Sequence, residues 1–196
     1  MEPILFVFSG PSGAGKGSVM RALLAHDESL HKVVTYTTRA PRPGEVDGFD
    51  YYFVSVDQFH QMIDQDLLFE HEQVYHDHYY GSPRELFRPG CDGIIELDYK
   101  GRLKYQERHR QVVSVFLLPP SFEELKHRIV KRSEVENLDA RLANAVEQVR
   151  HARTYDYIVR NDDLGQCIAT VETIIRAERV RRQGQTDVQG FLHQAP

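Results

Sequence analysis

The strongest constraint on the fold is a glycine-rich segment between two apolar ones, Gly10-Pro11-Ser12-Gly13-Ala14-Gly15-Lys16-Gly17-Ser18. The apolar run before it, Ile4–Phe8, is typical of a buried strand, and the amphipathic run after it, Val19–Leu24, is typical of a helix. Small residues let successive backbone N–H groups turn inward around an anion, with the positive end of the helix behind them. Lys16 is then placed to reach the outer phosphates. The segment therefore predicts a strand, a phosphate loop and a helix that bind a nucleoside triphosphate.

The loop departs from the general phosphate-loop motif at one position. The hydroxyl residue expected directly after the lysine is replaced by Gly17, and the nearest hydroxyl is that of Ser18. We therefore assign Ser18 as the candidate Mg²⁺ ligand.

Composition limits the class of protein. The chain has 196 residues, of which 41% are hydrophobic and 27% charged, enough for one domain with small insertions. No apolar segment has the length of a membrane span, and the N-terminal run lacks the basic start of a signal peptide, so we expect a cytoplasmic protein without a membrane partner. The net charge of −5 argues against a general nucleic-acid binder. Cys91 and Cys167 lack C-x-x-C spacing and are expected to be reduced thiols.

Apolar strand patterns alternate with helical patterns over most of the chain, which is typical of a three-layer α/β fold with a mostly parallel sheet. The further core strands are predicted at Val33–Tyr36, Gly93–Asp98, Val112–Leu118 and Tyr157–Val159. The later helices are predicted from a capping box of Ser121 and Glu124 to about Lys131, at Leu138–Arg153 and at Leu164–Arg182. We expect a low-order tail after Gln183.

The middle of the chain has a different pattern, which predicts a mixed α/β lobe inserted beside the parallel sheet. Short antiparallel strands are predicted at Tyr52–Val54, Leu68–Glu70 and Val74–Tyr75, around one helix, Val56–Asp66.

The loop that enters this lobe carries Arg39 and Arg42 in a proline-stiffened segment. Their spacing lets two guanidinium groups converge on one dianionic group, for which a second phosphate is the obvious candidate. The segments Asp50-Tyr51-Tyr52 and Tyr79-Tyr80-Gly81-Ser82 add phenolic and alcoholic hydroxyls that can donate to phosphate oxygens without adding charge.

Several long motifs resemble those of bacterial guanylate kinases, in the same order and similar spacing, over residues 3 to 182. They are the phosphate loop and the segments 37–45, 48–55, 79–82 and 161–164. The resemblance implies a P-loop nucleoside monophosphate kinase fold with a GMP-binding lobe and a short lid. It implies transfer of the γ-phosphoryl group of MgATP to GMP, with dGMP as a second expected acceptor, giving ADP and GDP in purine nucleotide metabolism. Mg²⁺ is the implied cofactor, ATP and GMP are the implied partners, and monomer and homo-oligomer both stay open.

The same resemblance implies the domain scheme and the site residues. The core is expected at 1–36, 91–131 and 141–183, the GMP-binding lobe at 37–90, the lid at 132–140 and the tail at 184–196. The implied ATP-binding residues are Gly10, Pro11, Ser12, Gly13, Ala14, Gly15, Lys16, Gly17, Ser18 and Asn161, the last near the base or ribose. The implied GMP-binding residues are Thr35, Arg39, Arg42, Glu45, Tyr51, Glu70, Tyr80, Gly81, Ser82 and Asp98. The implied catalytic residues are Lys16, Asp98, Arg132 and Arg141, with Arg128 as a further lid arginine and Asp98 or Glu96 holding metal-bound water.

Three positions depart from the family pattern. The lid lacks the usual glycine after Arg132 and is short, Lys100 stands where the family normally has glutamine, and Arg160 replaces an aliphatic residue.

Two other classes of protein share part of this pattern. Guanylate-kinase-like scaffold domains hold phosphorylated peptides in the GMP site, but they usually have degraded phosphate loops, whereas Gly15-Lys16 is intact here. Related kinases of sugar phosphates share the phosphate loop but lack the Thr-Thr-Arg and Tyr-Tyr-Gly-Ser elements.

Overall fold

The computed structural model describes residues 3–74, 78–108, 111–132 and 138–193, with the backbone alone for Val74 and Arg132. The strands are β1 Leu5–Ser9, β2 Leu30–Lys32, β3 Tyr36–Thr37, β4 Tyr52–Phe53, β5 Leu68–Val74, β6 His78–Pro83, β7 Asp92–Glu96, β8 Val112–Leu118 and β9 Tyr157–Arg160. The helices are α1 Lys16–His26, α2 Val56–Asp64, α3 Tyr99–Arg108, α4 Phe122–Arg132, α5 Leu138–Arg150 and α6 Leu164–His193, with a 3₁₀ turn at Ala152–Thr154.

A five-stranded parallel sheet with the order β2-β7-β1-β8-β9 organises the core. The central strand β1 is buried along its whole length, because helices cover both faces of the sheet. Phe6 and Phe8 on one face pack with residues of α1 and α6, and Leu5 and Val7 on the other pack with Tyr105 of α3. The expected three-layer α/β architecture is confirmed.

The inserted lobe has its own four-stranded sheet, in the order β4-β3-β6-β5. β6 pairs antiparallel with β3 and β5, but β3 pairs parallel with β4, so the expected all-antiparallel arrangement is wrong at that edge. The two strands predicted at Leu68–Glu70 and Val74–Tyr75 are one strand, β5, as far as Val74, and Tyr75 lies outside the described residues. Their antiparallel partner β6 was not predicted as a strand.

The strand predicted at Val33–Tyr36 is also wrong. Leu30–Lys32 pairs with β7 in the core sheet, and the N–H of Val33 makes one more bond to the carbonyl of Ile94 before the chain leaves that sheet. Tyr36 and Thr37 then join the lobe sheet. The apolar pair Val33-Val34 therefore belongs to a crossing between two sheets, although its β-branched side chains favour a strand.

The C-terminal helix α6 continues to His193, so the low-order tail expected after Gln183 is wrong for residues 184–193. α5 ends at Arg150, short of the predicted Arg153, and the chain continues into the 3₁₀ turn. The Ser121 hydroxyl accepts the N–H of Glu124 as expected for a cap, but the Glu124 carboxylate binds Arg128.

Within the part of the chain that is described, no helix is both long enough and apolar enough to span a bilayer. Cys91 and Cys167 are free thiols, as expected.

Arg179 of α6 ties three parts of the core together. Its Nη1 donates to the carboxylate of Asp27 after α1 at 2.7 Å, and its Nε donates to that of Asp92 at the start of β7 at 2.8 Å. Asp92 also accepts the N–H of Ile4. Partial burial raises the pKa of Asp27, but hydrogen bonds from Ser29 and Arg179 outweigh it, and the net pKa lies below its usual value.

We predict that Arg179→Met lowers the free energy of unfolding at pH 7 by about 1–3 kcal/mol, because two carboxylates lose a charged donor. A carboxylate with a lowered pKa stabilises the fold above its ordinary pKa and loses that contribution as the pH falls. The difference between variant and wild type should therefore shrink as the pH falls from 5 towards 3, which urea denaturation at several pH values measures. The control Arg176→Met removes an exposed arginine that contacts only Glu172 among the described residues, and should change stability by less than about 0.5 kcal/mol. Equal effects of the two variants would contradict this role of Arg179.

Candidate active site

The phosphate loop joins β1 to α1, and its backbone geometry requires glycine at two positions. Gly10 and Gly15 have φ values of 143° and 93°, which L residues rarely adopt. A Cβ atom on Gly10 would lie 2.4 Å from the carbonyl oxygen of Leu117, and one on Gly15 would lie 2.3 Å from Nδ2 of Asn161. The loop therefore lies so close to the end of β8 and to Asn161, which follows β9, that these two positions exclude side chains.

Asn161 lies behind the loop. Its side chain is buried, with 5% of the residue exposed, and its Nδ2 donates to the carbonyl oxygen of Ala14 at 2.8 Å. Its own N–H donates to the carbonyl of Leu118 at the end of β8. Asn161 thus positions the loop backbone, and the expected contact with the base or ribose of ATP stays a prediction.

Lys16 lies between the loop and the end of β7. Its Nζ donates to the carbonyl oxygens of Gly10 at 2.5 Å and Pro11 at 3.0 Å, and lies 3.4 Å from Oε1 of Glu96. The ammonium group is held at the mouth of the loop by acceptors that an incoming phosphate can replace or join.

Arg39 and Glu45 form a bidentate ion pair at the entry of the lobe, with Nη–Oε distances of 2.8 and 3.0 Å. The Glu45 carboxylate also accepts the N–H of Arg42. Burial raises the pKa of Glu45, but these donors outweigh it and hold the pKa below its usual range. The Nε of Arg39 is buried and has no hydrogen-bond partner among the described residues. Glu45 therefore orients the guanidinium group and leaves one donor for another acceptor.

Two tyrosines and Arg42 lie near Arg39. The Arg39 guanidinium lies 5.4 Å from the ring centre of Tyr51, and the hydroxyl of Tyr80 is within hydrogen-bonding reach. Partial desolvation lowers the pKa of Arg42, and the charges of Arg39 and Arg141 lower it further. Arg141 of α5 is thus close enough to Arg42 for their charges to interact, and its role as a lid arginine stays a prediction.

Only part of the predicted lid is described. Of Arg132 the backbone is described, and residues 133–137 lie outside the described residues. Arg128 of α4 places its Nη1 3.4 Å from the carbonyl oxygen of Gly13, so it lies beside the phosphate loop.

Glu96 connects the two basic clusters. It is the last residue of β7 and lies beside Lys16. Burial is the main cause of the raised pKa of Tyr51, and the negative charge of Glu96 adds to the rise. The Tyr51 ring in turn packs edge-on against Tyr80, with ring centres 6.0 Å apart. Glu96, at the carboxyl end of β7, therefore lies close to the phosphate loop and within charge-interaction range of the arginine–tyrosine cluster.

A cluster of polar side chains lies further along the lobe, around Glu70 of β5. The Ser82 hydroxyl of β6 donates to Oε1 of Glu70 at 2.8 Å, and Nζ of Lys104 lies 3.6 Å from Oε2. Only 10% of the Glu70 side chain is exposed, and this burial raises the pKa of Glu70, while Ser82 and Lys104 lower it. A carboxylate held in this way accepts two hydrogen bonds from a planar ligand edge.

Asp98 has a local structural role in addition to its predicted one. Its Oδ1 accepts the N–H of Gly101 at 2.8 Å in the first turn of α3. The surrounding protein desolvates Asp98 and raises its pKa, the charge of Glu72 adds to the rise, and the Gly101 N–H opposes it.

Two of the predicted GMP-binding residues have structural roles within the lobe. Gly81 is buried in β6, where a Cβ atom would lie 2.9 Å from Phe59 and 3.0 Å from Leu68. The carbonyl of the buried Thr35 accepts the N–H of Tyr52. Contacts of either residue with a nucleotide stay predictions.

Lys104 and Tyr105 were missed by sequence reasoning, although both lie beside the predicted base site. The Tyr105 hydroxyl interacts with that of Ser82, and burial raises the pKa of Tyr105. The available signal was the four-residue spacing of Lys100 and Lys104, which places two cations on one face of a helix.

The oxygen donors near Lys16 fit Mg²⁺. Ser18 is exposed in the first turn of α1, and the Glu96 side chain is 38% exposed beside Lys16. Mg²⁺ prefers such oxygen ligands and commonly takes only one or two of them from protein, with the rest from phosphate and water.

This arrangement defines the class of protein. A phosphate loop after the central strand of a parallel sheet, facing an arginine–tyrosine cluster on an inserted lobe, characterises the P-loop nucleoside monophosphate kinases. The guanylate kinase family profile matches residues 2–178, so the chain belongs to the guanylate kinase family.

Individual relatives agree with this family over nearly the whole chain. A guanylate kinase of Paramagnetospirillum magneticum is 43% identical over 97% of this chain and 92% of its own length. One of Caldanaerobacter subterraneus subsp. tengcongensis is 41% identical over 95% of this chain and 93% of its own. The crystal structure of the Anaplasma phagocytophilum guanylate kinase superposes with a TM-score of 0.74 at 34% identity, covering 90% of this chain and 86% of that one.

We predict that Asn161→Ala weakens ATP binding about 5- to 100-fold, because it removes the donor that holds the Ala14 carbonyl and leaves that acceptor unpaired. Calorimetric titration with ATP measures this effect, and GMP affinity should stay within about twofold because the lobe does not contact Asn161 in the described residues. Asn144→Ala on the exposed face of α5 removes the same side chain where it bonds only to Gln148, and serves as the control. Unchanged ATP affinity in Asn161→Ala would contradict the positioning role.

Proposed function

We propose that the chain transfers the γ-phosphoryl group of ATP to the 5′-phosphate of GMP, giving ADP and GDP. The observation that supports this proposal is the position of Glu96, which lies 3.4 Å from Lys16 of the phosphate loop and within charge-interaction range of Tyr51 in the arginine–tyrosine cluster. The loop suits a triphosphate, and the cluster suits a second phosphate.

The acceptor side provides the charge needed for two anions to meet. We assign the GMP phosphate to Arg39, Arg42, Tyr51 and Tyr80. The arginines neutralise the dianion, and the tyrosines donate hydrogen bonds without adding charge. Glu45 keeps Arg39 in a fixed orientation, so little conformational freedom is lost when GMP binds.

The donor side stabilises charge on the transferring group. The N–H groups of the phosphate loop and Lys16 hold the β- and γ-phosphates, and Arg141 approaches from the lid side, beside Arg42. Negative charge that spreads over the equatorial oxygens during transfer is stabilised by these fixed donors. We keep Arg132 as a second lid arginine from the sequence.

Base selection is assigned to Glu70. Guanine presents N1–H and an exocyclic amine on one edge, and the two Glu70 oxygens accept both donors. Adenine presents an unprotonated N1 there, so a buried carboxylate acceptor disfavours it. Thr35 and Ser82 are the proposed hydroxyl contacts.

Mg²⁺ would be held by Ser18 and the phosphate oxygens, with its water molecules near Glu96 or Asp98. The ion would supply charge neutralisation between the β- and γ-phosphates.

The wider proposal includes a core at 1–36, 91–131 and 141–183, a GMP-binding lobe at 37–90, a lid at 132–140 and a cytoplasmic location. It includes dGMP as a second acceptor and no nucleic-acid partner.

The reaction is tested by measuring ADP release from MgATP with GMP, dGMP, AMP, CMP or UMP as acceptor. We expect rapid release with GMP, slower or equal release with dGMP, and little with the other three. Lys16→Ala should lower turnover with GMP by at least about 100-fold, since it removes a donor to the transferring group. Lys126→Ala on the exposed face of α4 is the control and should keep wild-type turnover. Folded protein that binds a phosphopeptide but releases no ADP with any acceptor would favour a scaffold function.

A further inference from the structure

One face of helix α3 docks on strand β5 across the junction of core and lobe. Lys100 lies 2.5 Å from the Glu72 carboxylate, and Tyr105 stacks on Phe69 with ring centres 4.2 Å apart. Between them, Nζ of Lys104 donates to the carbonyl oxygen of His71 at 3.2 Å and lies 3.6 Å from Oε2 of Glu70. The core therefore supplies a cation to the carboxylate to which we assign base selection.

The two oxygens of Glu70 are held by different elements. Ser82 of β6 donates to Oε1, and Lys104 of α3 lies beside Oε2. The His71 carbonyl anchors the same ammonium group, so its position does not depend on Glu70 alone. The carboxylate plane is thus fixed before a ligand arrives.

Burial at this site favours the neutral, protonated form of Glu70, which is the less suitable form for binding guanine. Only 10% of the Glu70 side chain is exposed, and burial disfavours the charged form of a carboxyl group. A neutral carboxyl group carries a proton on one oxygen and then accepts only one of the two guanine donors. Strong binding of guanine therefore requires a group that keeps Glu70 ionised.

Two other groups near Glu70 act on its pKa in opposite directions: the Ser82 hydroxyl of β6 lowers it through a hydrogen bond but carries no charge, and the charge of Asp98, just before α3, raises it. Glu72, on the same strand, is acidic and pairs with Lys100, and the Tyr105 phenol interacts with Ser82. Lys104 is the cation in contact with Glu70 within the described residues.

We propose that Lys104 is a positioning residue for base recognition, which keeps Glu70 ionised and directs its carboxylate towards the guanine edge. This inference rests on the proposed function of Glu70 in binding GMP. A purely structural role of Lys104 in docking α3 on β5 is the competing explanation, and it predicts a loss of stability without a change in the pH dependence of GMP binding.

The test is the dissociation constant of GMP, measured by calorimetry from pH 4.5 to 8 for wild type, Lys104→Gln and Lys104→Arg. In Lys104→Gln the pKa of Glu70 rises, so GMP affinity should fall about three- to tenfold at the acid end and approach that of wild type at pH 8. Lys104→Arg restores the charge and should recover most of the acid-end affinity. ATP affinity should be unchanged in both variants.

Two further variants separate action through Glu70 from other effects. In a Glu70→Gln background no carboxyl group is left to titrate, so adding Lys104→Gln should change GMP affinity by less than about twofold at every pH. The same comparison cancels the titration of the GMP phosphate itself, which is common to all variants. Lys126→Gln makes the same charge change on the exposed face of α4 and should reproduce the wild-type profile.

The inference is overturned if Lys104→Gln shifts the melting temperature but leaves the pH profile of GMP binding unchanged. It is equally overturned if Lys104→Gln has the same effect in the Glu70→Gln background as in wild type. The proposed function fails separately, if wild-type protein releases no ADP from MgATP with GMP as acceptor.

Discussion

Two nucleotides that both carry several negative charges must bring their phosphates into contact, and the charged groups of the cleft are arranged around this requirement. We assign Lys16, the loop N–H groups and Arg141 to the ATP phosphates, and Arg39 and Arg42 to the GMP phosphate. Each side has its own acidic partner, because Glu96 lies beside Lys16 and Glu45 pairs with Arg39. These contacts hold the cations in place before either substrate enters.

The fold places these groups through elements that are themselves held by buried polar contacts. Asn161 connects the phosphate loop to the end of β8, and Asp98 caps the helix that carries Lys104. The same helix docks on the lobe, so the sheet that carries the phosphate loop and the sheet that carries Glu70 share one support. The proposed base site is thus linked physically to the core and does not belong to the lobe alone.

Sequence reasoning was successful where local pattern and tertiary environment agree. The phosphate loop with its flanking strand and helix was predicted, and β8 was predicted at its observed bounds, because a continuous apolar run is buried on both faces. It failed where the chain changes sheets, since Val33-Val34 has strand propensity but lies at a crossing. It also missed β6, whose tyrosines and glycine resemble a loop and become a strand only through pairing with β5.

The candidate site likewise contains residues that the sequence predicts and residues whose roles depend on distant contacts. Residues within long motifs, such as Arg39 and Tyr80, were named from the sequence and lie together in the structure. Asn161 positions the loop through Ala14, which lies 147 positions earlier in the chain. Lys104 contacts Glu70, which lies 34 positions earlier. Neither contact leaves a local sequence pattern.

The central claim is that the two phosphate sites form one continuous cleft. It is tested most directly by calorimetric titration with adenosine and guanosine joined 5′ to 5′ through five phosphates, which spans both sites in one molecule. We predict one molecule bound per chain, at least about 100-fold more tightly than ATP or GMP alone, because the second contact becomes intramolecular. The diadenosine analogue should bind no more tightly than ATP. Binding of the mixed analogue no tighter than that of ATP, or of two molecules per chain, would contradict the claim that the two sites converge.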